Sequence, residues 1–208
     1  MVGCIGVSEP GGGSDVANIK TKAVKKKGSD DLIINGQKMW ITNSLQADWM
    51  CLLANTDTSG EKKAHNRMSL IMVPMDTKGV IKAKKIDKMG MHSSDTGLIF
   101  FEDVHVPSSY IIGEEGMGFT YQMLQFQEER LAAAAGALIP LQVVIDETIQ
   151  YTKSRMAFGK PLLDNQYMHF RLAELQTELD LVRRFFQHTP YTFCLHFGMD
   201  GHKWLLSF

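Results

Sequence analysis

The residues with the clearest potential for chemistry are a glycine-rich run and, 25 residues after it, a run that begins with tryptophan: Ser8-Glu9-Pro10-Gly11-Gly12-Gly13-Ser14-Asp15 and Trp40-Ile41-Thr42-Asn43. Glycines flanked by small hydroxyl side chains expose backbone N–H groups, which can bind a phosphate or the polar edge of a cofactor. Pro-Gly and Gly-Gly pairs also mark ordinary turns, so the glycine run alone predicts only a turn. The two runs together are a candidate binding site.

Cysteine and histidine form no pattern typical of a metal or disulfide site. Three cysteines in 208 residues are too few and too scattered for a disulfide framework, so we expect a reducing compartment and buried, apolar thiols. His188, His196 and His202 lie near the C-terminus, but no carboxylate or cysteine accompanies them at ligand spacing. We therefore expect no metal site.

The overall composition is that of an ordinary globular protein, with 44% hydrophobic and 22% charged residues in a chain long enough for one large or two small domains. A net charge of -1 gives no general attraction to nucleic acid or to anionic membranes. We expect no apolar run to reach the roughly 18 residues of a membrane span. The N-terminus carries no recognisable targeting signal.

Residues 1 to about 110 are predicted to form an antiparallel sandwich or barrel, because short β-prone runs recur between turn signals without helical periodicity. These runs are Leu32–Ile34, Trp49–Leu53, Ser69–Val73, Val80–Ile81, Leu98–Phe101 and Val104–Val106. Asn35-Gly36 is predicted to be a hairpin turn, since both residues tolerate positive φ. The cluster Lys20, Lys22, Lys25, Lys26 and Lys27 indicates a solvated hairpin arm rather than a binding patch.

From about Gly116 the periodicity becomes helical. Apolar spacing predicts one helix over Met117–Tyr151, with a kink or break at Pro140, and a second helix from about Asn165. Two such helices are the beginning of a bundle, and their apolar faces need further partners. The last segment, 185–208, lacks a helical period and is predicted to be an atypical tail, as an altered splice or reading frame would produce.

Four motifs, in this order along the chain, resemble those of the acyl-CoA dehydrogenase family. They are Cys4–Asp15, Lys38–Asn43, Met89–Thr96 together with Phe101–Pro107, and Arg155–Pro161 together with Gln166. The resemblance covers residues 3 to about 184 and is nearest to the long-chain type. It implies an α+β multidomain fold: an antiparallel β-barrel or sandwich middle domain that binds flavin at 1–110, then the first helices of a C-terminal helical-bundle domain at 111–184, then the tail.

The reaction implied by the resemblance is α,β-dehydrogenation of an acyl-CoA thioester with FAD as cofactor. In this reaction a carboxylate removes a proton from Cα while a hydride leaves Cβ. The long-chain and isovaleryl types carry the carboxylate on the long helix, directly before the arginine of a Glu-Arg-Leu motif. Here that motif is Glu129-Arg130-Leu131, so Glu129 is the candidate base. Without the resemblance, Glu128 and Glu129 are an ordinary exposed pair.

The resemblance also implies the remaining site residues. The cofactor-binding residues are Ile5, Gly6, Val7, Ser8, Glu9, Pro10, Gly11, Gly12, Gly13, Ser14, Trp40, Ile41, Thr42, Arg155 and Gln166. The substrate-binding residues are Ser14, Gln127, Glu128, Glu129 and Arg130. Arg130 and Arg155 are 25 residues apart, about seven helical turns, so a continuous helix places both on one face about 37 Å apart.

The family further implies electron transfer flavoprotein as partner, a homo-oligomer that is a dimer of dimers, and the mitochondrial matrix, in the oxidation of fatty acids or branched-chain amino acids. Because the glycine run begins at residue 8, we expect a partial subunit that lacks the family's N-terminal helical domain and last bundle helices. Two alternatives remain open. One is an inactive truncated isoform that acts only by associating with full-length subunits, and the other is a related acyl-CoA oxidase.

Overall fold

Alternating apolar side chains in the first half of the chain form strands, and the computed structural model describes them within residues 1–57, 59–60 and 62–197. Two compact units are present: Met1–Gln125, and the described residues from Phe126 onward. The described residues contain ten strands. In chain order they are β1 (Gly3–Gly6), β2 (Lys22–Lys25), β3 (Asp31–Thr42), β4 (Trp49–Asn55), β5 (Met68–Pro74), β6 (Val80–Lys85), β7 (Thr96–Pro107), β8 (Ile111–Ile112), β9 (Met156–Ala157) and β10 (Lys160–Pro161).

Eight of these strands form one sheet in the order β6-β7-β3-β2-β4-β5-β8, with β1 added to β4. The prediction of a β domain followed by helices is confirmed. Two details differ: β1 and β2 run parallel to β4, so the sheet is mixed, and its described strands do not close into a barrel. Parallel pairing joins segments that are distant along the chain, which local apolar patterns do not reveal.

Strands β1 and β2 lie one after the other along β4. Gly3 pairs with Trp49 at one end of β4, and Lys22 pairs with Asn55 at the other. Strand β2 also pairs antiparallel with β3, and Met39 of β3 donates its N–H to the Ser8 carbonyl just after β1, at 2.9 Å. The two short strands therefore occupy the same side of β4, one at each end. Residues 9–21 form a loop between them, called the 9–21 excursion below.

The predicted hairpin turn at Asn35-Gly36 is wrong, because β3 continues through both residues. The pairing of β3 with β7 shifts register between Ile34 and Gly36, and the Asn35 side chain bonds Asp103 across this bulge. Gly36 has φ +148°, and a Cβ there would lie 2.7 Å from the Cα of Thr21. The glycine thus allows a close approach of strands. The actual hairpin joins β2 to β3, with the predicted lysine arm exposed on it.

The core of the first unit is formed by the inward-facing residues of the sheet. Fully buried members are Ala23, Leu32, Ile34, Met50, Leu52, Ala54, Ile71, Val73, Ile99 and Val104. Cys4 also belongs to this core, and burial raises the pKa of its thiol to about 11. The expectation of a buried thiol is therefore confirmed at Cys4, whereas Cys51 is only partly buried.

Helix α1 (Gly118–Ser154) is 37 residues long and continues through Pro140 without a break. The predicted break is therefore absent. An 18-residue window of α1 has mean hydropathy 1.4 and is 6% buried, so by length and composition alone this helix could cross a membrane. The expectation that no run reaches this length is wrong for α1, although core helices of other proteins meet the same criteria.

Helix α2 (Gln166–Phe197) begins where the sequence predicts and continues beyond residue 185. The prediction of a tail without helix is therefore wrong as far as Phe197, and 198–208 lie outside the described residues. A polar contact joins the two helices, in which the Gln142 and Gln176 amides bond reciprocally at 2.9 and 3.1 Å. Large apolar side chains remain exposed on both helices, among them Ile139, Val144, Tyr151, Tyr167, Leu181 and Phe185.

Candidate functional site

The glycine run folds as a tight turn directly after β1. The Glu9 N–H donates to the Gly12 carbonyl at 2.9 Å, and the Gly12 N–H donates back to the Glu9 carbonyl at 3.0 Å. Pro10 and Gly11 therefore occupy the corner of the turn, as Pro-Gly pairs commonly do. The interpretation of this run as a turn is confirmed, and the turn is closed by two backbone hydrogen bonds.

The outer side of this turn is open. A Cβ built on Gly11 or on Gly13 would meet no heavy atom of the described residues within 4 Å. Among the described residues, the N–H groups of Gly11, Gly13 and Ser14 have no acceptor within the protein. Bare backbone with outward N–H groups can approach a polar ligand edge closely. The turn therefore has the form of an open cradle for such a group.

Gly6 is required for a different reason. A Cβ at this position would clash with the Met50 sulfur on the neighbouring strand β4. The glycine thus lets β1 lie against the core. The side chain of Val7 is also buried, at 5% exposure, whereas Ile5 is 38% exposed. Within this strand only Ile5 presents a side chain to solvent, and Gly6 and Val7 can contact a ligand through their backbone alone.

Trp40 lies at a bulge that turns its indole outward. Its φ is +67°, a strained value for a bulky residue, and the pairing of β3 with β7 shifts register between Lys38 and Ile41. The side chain is 57% exposed, while that of Ile41 is only 3% exposed. Strained backbone of this kind persists only where the surroundings support it and is common at ligand sites.

The structure brings the glycine turn and this bulge together. The Met39 N–H donates to the Ser8 carbonyl at 2.9 Å, one residue before Trp40 and one residue before the turn. The two runs singled out from the sequence are therefore adjacent in the first unit. Thr42, also exposed, follows on the same strand.

A buried ion pair lies beneath this junction. The Lys38 ammonium is 2.9 Å from Glu9 Oε1, with the lysine side chain fully buried and the glutamate side chain 7% exposed. Lys38 Nζ also donates to the Val7 carbonyl at 2.8 Å. The Glu9 carboxylate in addition accepts the backbone N–H groups of Lys20 at 2.7 Å and Thr21 at 3.0 Å.

The pKa values of both partners are shifted. Burial lowers the pKa of Lys38 to about 8, and the Glu9 carboxylate opposes this shift. For Glu9, burial alone would raise the pKa, but the charge of Lys38 and the hydrogen bonds with Thr21 and Lys20 outweigh it and lower the pKa below 4.5. Both groups are therefore charged at neutral pH.

Lys38 belongs to the second motif, but the sequence alone assigns it no role and does not predict this ion pair. The alternation of side chains along β3 nevertheless indicates that Lys38 is buried. Leu32, Ile34 and Lys38 have the same parity along β3, so alternation places the lysine on the buried side with the two apolar residues. A lysine on the core side of a strand needs an anionic partner, and Glu9 is the one it finds.

Asp95 is a second residue that sequence reasoning missed. Its carboxylate accepts the Leu45 N–H at 2.7 Å, and its carbonyl accepts the Asn43 N–H at 3.2 Å. Asn43 has φ +64°. Asp95, from the third motif, therefore holds the turn that ends the run after Trp40.

The other predicted site residues belong to the second unit. Gln127, Glu128, Glu129 and Arg130 lie on α1 and are exposed. Arg155 follows the last residue of α1, its N–H donating to the Tyr151 carbonyl at 2.9 Å and its carbonyl accepting the Leu162 N–H at 2.8 Å.

A small hairpin, β9–β10, separates Arg155 from Gln166. At its tip Phe158 and Gly159 both have positive φ, and the phenyl ring is fully exposed. Gln166 is the first residue of α2 and is also exposed. The structure thus places Arg155 and Gln166 at the two ends of one short connection between the helices.

Enclosed space around the glycine turn is small. The cavity beside it, lined by Glu9, Gly12, Thr21 and Gln37 among others, has a volume of about 180 Å³. Organic ligands generally occupy sites of about 300–1,000 Å³. The first unit therefore presents an open surface here. Among the described residues no group of three or more His, Cys, Asp or Glu side chains could hold a metal ion, and His202 lies outside them.

Comparison with known proteins gives a consistent result over most of the chain. The family model "Acyl-CoA dehydrogenase, middle domain" matches residues 4–104, and the model "Acyl-CoA dehydrogenase, C-terminal domain" matches residues 116–191. The mitochondrial long-chain specific acyl-CoA dehydrogenase of Rattus norvegicus is 40% identical over 184 residues, which are 88% of this chain and 42% of that protein.

Solved structures agree with these matches. An acyl-CoA dehydrogenase from Geobacillus kaustophilus is 41% identical with a TM-score of 0.84, covering 96% of this chain and 51% of that one. A glutaryl-CoA dehydrogenase from Mycobacterium smegmatis in complex with FADH2 is 32% identical with a TM-score of 0.78, covering 90% and 46%. The chain therefore spans about half the length, or less, of the relatives it matches.

Proposed function

This chain belongs to the acyl-CoA dehydrogenase family, and from that membership we propose that it is part of a FAD-dependent subunit that introduces an α,β double bond into acyl-CoA thioesters. The observation that carries the proposal is the adjacency of the open glycine turn and the outward indole of Trp40. An aromatic side chain beside bare backbone N–H groups suits a flat ring system with a polar edge.

The residues of the first unit fit the flavin of FAD in this way. The backbone of Ile5–Gly13 and the hydroxyls of Ser8 and Ser14 would meet the polar edge of the ring, with Trp40 and Thr42 against its face. Gly6, Val7, Glu9 and Ile41 are buried and would contribute by backbone contact or support. The exposed ends of Arg155 and Gln166 would bind a cofactor phosphate, on the pattern of the family, in a neighbouring subunit.

Glu129 is the proposed general base, removing the proton from Cα of the acyl group. FAD, when bound, supplies the two-electron acceptor for the hydride that leaves Cβ. A base of this kind works best in a site closed to water, where its pKa is matched to its task. Gln127, Glu128, Arg130 and Ser14 would bind the thioester portion of the substrate around it.

The domain assignment forms part of the proposal: 1–110 as the flavin-binding β domain, and 111–184 as the first helices of the C-terminal bundle. In the whole protein we propose a homo-oligomer that is a dimer of dimers and electron transfer flavoprotein as acceptor. We further propose the oxidation of fatty acids or branched-chain amino acids in the mitochondrial matrix, since the rat relative is mitochondrial.

One observation favours a second candidate, in which the chain acts by associating with full-length subunits. Apolar side chains are exposed along both helices, with Ile139 and Phe185 at 74% and 75% exposure. A pull-down after co-expression with a full-length relative tests this role. A mixed complex would support association, and recovery of the chain alone would contradict it.

The primary test is the absorption spectrum of the purified chain in the visible range, with flavin identified after its release by denaturation. Bound FAD supports the proposal. A folded protein without flavin, also after incubation with added FAD, would contradict the claim that this chain binds it.

A further inference from the structure

The carboxylate of Glu9 lies where the two tandem strands β1 and β2 meet. Oε1 accepts the Thr21 N–H at 3.0 Å and Oε2 accepts the Lys20 N–H at 2.7 Å. Lys20 and Thr21 end the 9–21 excursion, and Glu9 begins it. One buried carboxylate therefore joins both ends of the excursion that contains the glycine turn.

Lys38 connects this joint to the strand that carries the bulge. Its ammonium binds Glu9 Oε1 at 2.9 Å and the Val7 carbonyl at 2.8 Å, and the next residue, Met39, donates its N–H to Ser8 at 2.9 Å. Three consecutive residues that lead into the turn, Val7, Ser8 and Glu9, are thus bonded to the two residues directly before Trp40. No apolar side chain could make the two contacts of the ammonium.

Burying such an ion pair in a core has a high cost in desolvation free energy. Removing two charges from water costs more than packing an apolar pair of the same volume, so a buried ion pair is weak evidence of stabilisation. A buried ion pair is useful, however, where the relative position of two segments must be fixed. Here the two segments it joins both need support: Gly11 and Gly13 lie in open space, and Trp40 has a strained φ of +67°.

We infer that Glu9 and Lys38 form a positioning pair that holds the glycine turn and the Trp40 bulge in fixed relation, and so sets the affinity of the chain for its flavin. The flavin part of this inference rests on the proposed function. The part that concerns the turn and the bulge does not, because it follows from contacts within the protein. Neither residue is a catalytic residue.

The test compares Lys38→Met, Glu9→Gln and the double variant with wild type. Lys25→Met is the matched control, since Lys25 also lies 2.9 Å from a glutamate oxygen, that of Glu115, but is 57% exposed. Hydrogen exchange is measured at the Gly12 and Met39 amides, which close the turn and join it to β3. The ladder between β4 and β5 serves as the internal reference for global unfolding.

Each single variant should speed exchange at both amides relative to the reference ladder, and Lys25→Met should not. In the double variant no charge is left unpaired in the core, so thermal stability should rise above that of the single variants. Exchange at Gly12 and Met39 should nevertheless stay fast. If the pair only stabilised the fold, the exchange rates of these two amides and of the reference ladder would increase together. That result would overturn the inference, and so would a wild-type exchange rate at both amides in the double variant.

The flavin measurement is separate. If wild type binds FAD, the double variant should bind it about tenfold more weakly, by analogy with the loss of outer-shell partners at metal sites, with a changed visible circular dichroism of the bound flavin. Unchanged affinity and spectrum would refute the link between the pair and flavin. If wild type binds no FAD, the proposed function fails, and the exchange measurement decides the positioning role.

Discussion

Ser8 and Met39 are joined by a single backbone hydrogen bond of 2.9 Å, and this bond places the glycine turn beside Trp40. The two residues lie 31 positions apart in the sequence; Ser8 begins the glycine run and Met39 directly precedes the run that starts at Trp40. The bond is not part of the regular pairing of β1 or β3. The candidate site therefore lies where regular pairing is interrupted, which allows the backbone to serve a ligand.

The Glu9 carboxyl should contribute to acid sensitivity. Its pKa is lowered below 4.5 in the folded chain, so its stabilising contribution is present above that value and is lost as pH falls through the folded pKa. Urea unfolding between neutral pH and pH about 3 should show a decline in the free energy of unfolding that is shallower in the double variant Glu9→Gln, Lys38→Met, which leaves no unpaired lysine in the core. Equal slopes in the two proteins would contradict the assignment.

Trp40→Gly should separate stability from binding. Glycine removes the strain of positive φ, about 1–2 kcal/mol, and loses about 0.5–1 kcal/mol through the freedom of the unfolded chain. Because the indole is 57% exposed, less than half of its surface is lost from burial, which costs about 2 kcal/mol. The free energy of unfolding should therefore fall by no more than about 2 kcal/mol, while FAD binding weakens.

Trp49→Gly is the control for this substitution, since Trp49 lies on β4 and packs near Gly3. It should destabilise the chain clearly. A comparable loss in Trp40→Gly would show that the bulge is not strained.

Gly36→Ala should destabilise the first unit by about 1–3 kcal/mol, the usual range for overpacking. Its Cβ would lie 2.7 Å from the Thr21 Cα, and φ is +148°. Gly11→Ala is the matched control, because its Cβ would meet only open space. Chemical denaturation of both variants measures the difference, and equal midpoints would contradict the close approach of Thr21 to β3.

Glu129→Gln should abolish substrate-dependent bleaching of the flavin if Glu129 is the base. General base catalysis contributes about 10²–10⁴ in rate, and the amide cannot accept the proton. The measurement is stopped-flow absorbance after mixing with a long-chain acyl-CoA. Glu147→Gln, an exposed substitution on the same helix, should retain the wild-type rate. Unchanged bleaching in Glu129→Gln would remove it as the base.

Gln142→Ala should loosen the contact between the two helices. The Gln142 amide exchanges hydrogen bonds with Gln176 and accepts one from Arg183 at 2.9 Å. Losing them should cost about 1–2 kcal/mol. Thermal unfolding followed by helical circular dichroism detects the change. The exposed Gln150→Ala is the comparison, and an equal effect in both would show that the interhelical contact contributes nothing.

Apolar patterns in the sequence predicted the longer strands and the start of both helices, because each depends on its own periodicity. They did not predict short strands such as β1 and β2, or the end of α2. Apolar patterns also do not predict which strands pair with each other. The Asn35-Gly36 pair has hairpin chemistry, but what decides its conformation is Thr21 and Asp103, which lie far away along the chain. Likewise Pro140 is tolerated within α1, where local reasoning predicts a kink or break.

In the candidate site too, local features could be predicted from the sequence and contacts between distant residues could not. Its loop and its tryptophan could be chosen from composition and from family motifs, since glycine and exposed aromatic residues have recognisable roles. The ion pair beneath them could not, because nothing near Glu9 in the sequence indicates a partner 29 residues later. Only the parity of Lys38 along β3 pointed to it.

The tandem arrangement of β1 and β2 against β4 has a consequence for the order of assembly during synthesis. Strand β1 leaves the ribosome well before its partner, because the paired residue of Gly3, Trp49, lies 46 residues later. The lysine that binds Glu9 also emerges well after the turn. We therefore expect β1 to remain unpaired until β4 has been synthesised, with the hairpin of β2 and β3 forming first because its contacts are local. The glycine turn would then take its final position only after β4 has emerged, whereas the pairing of β3 with β7 comes later still.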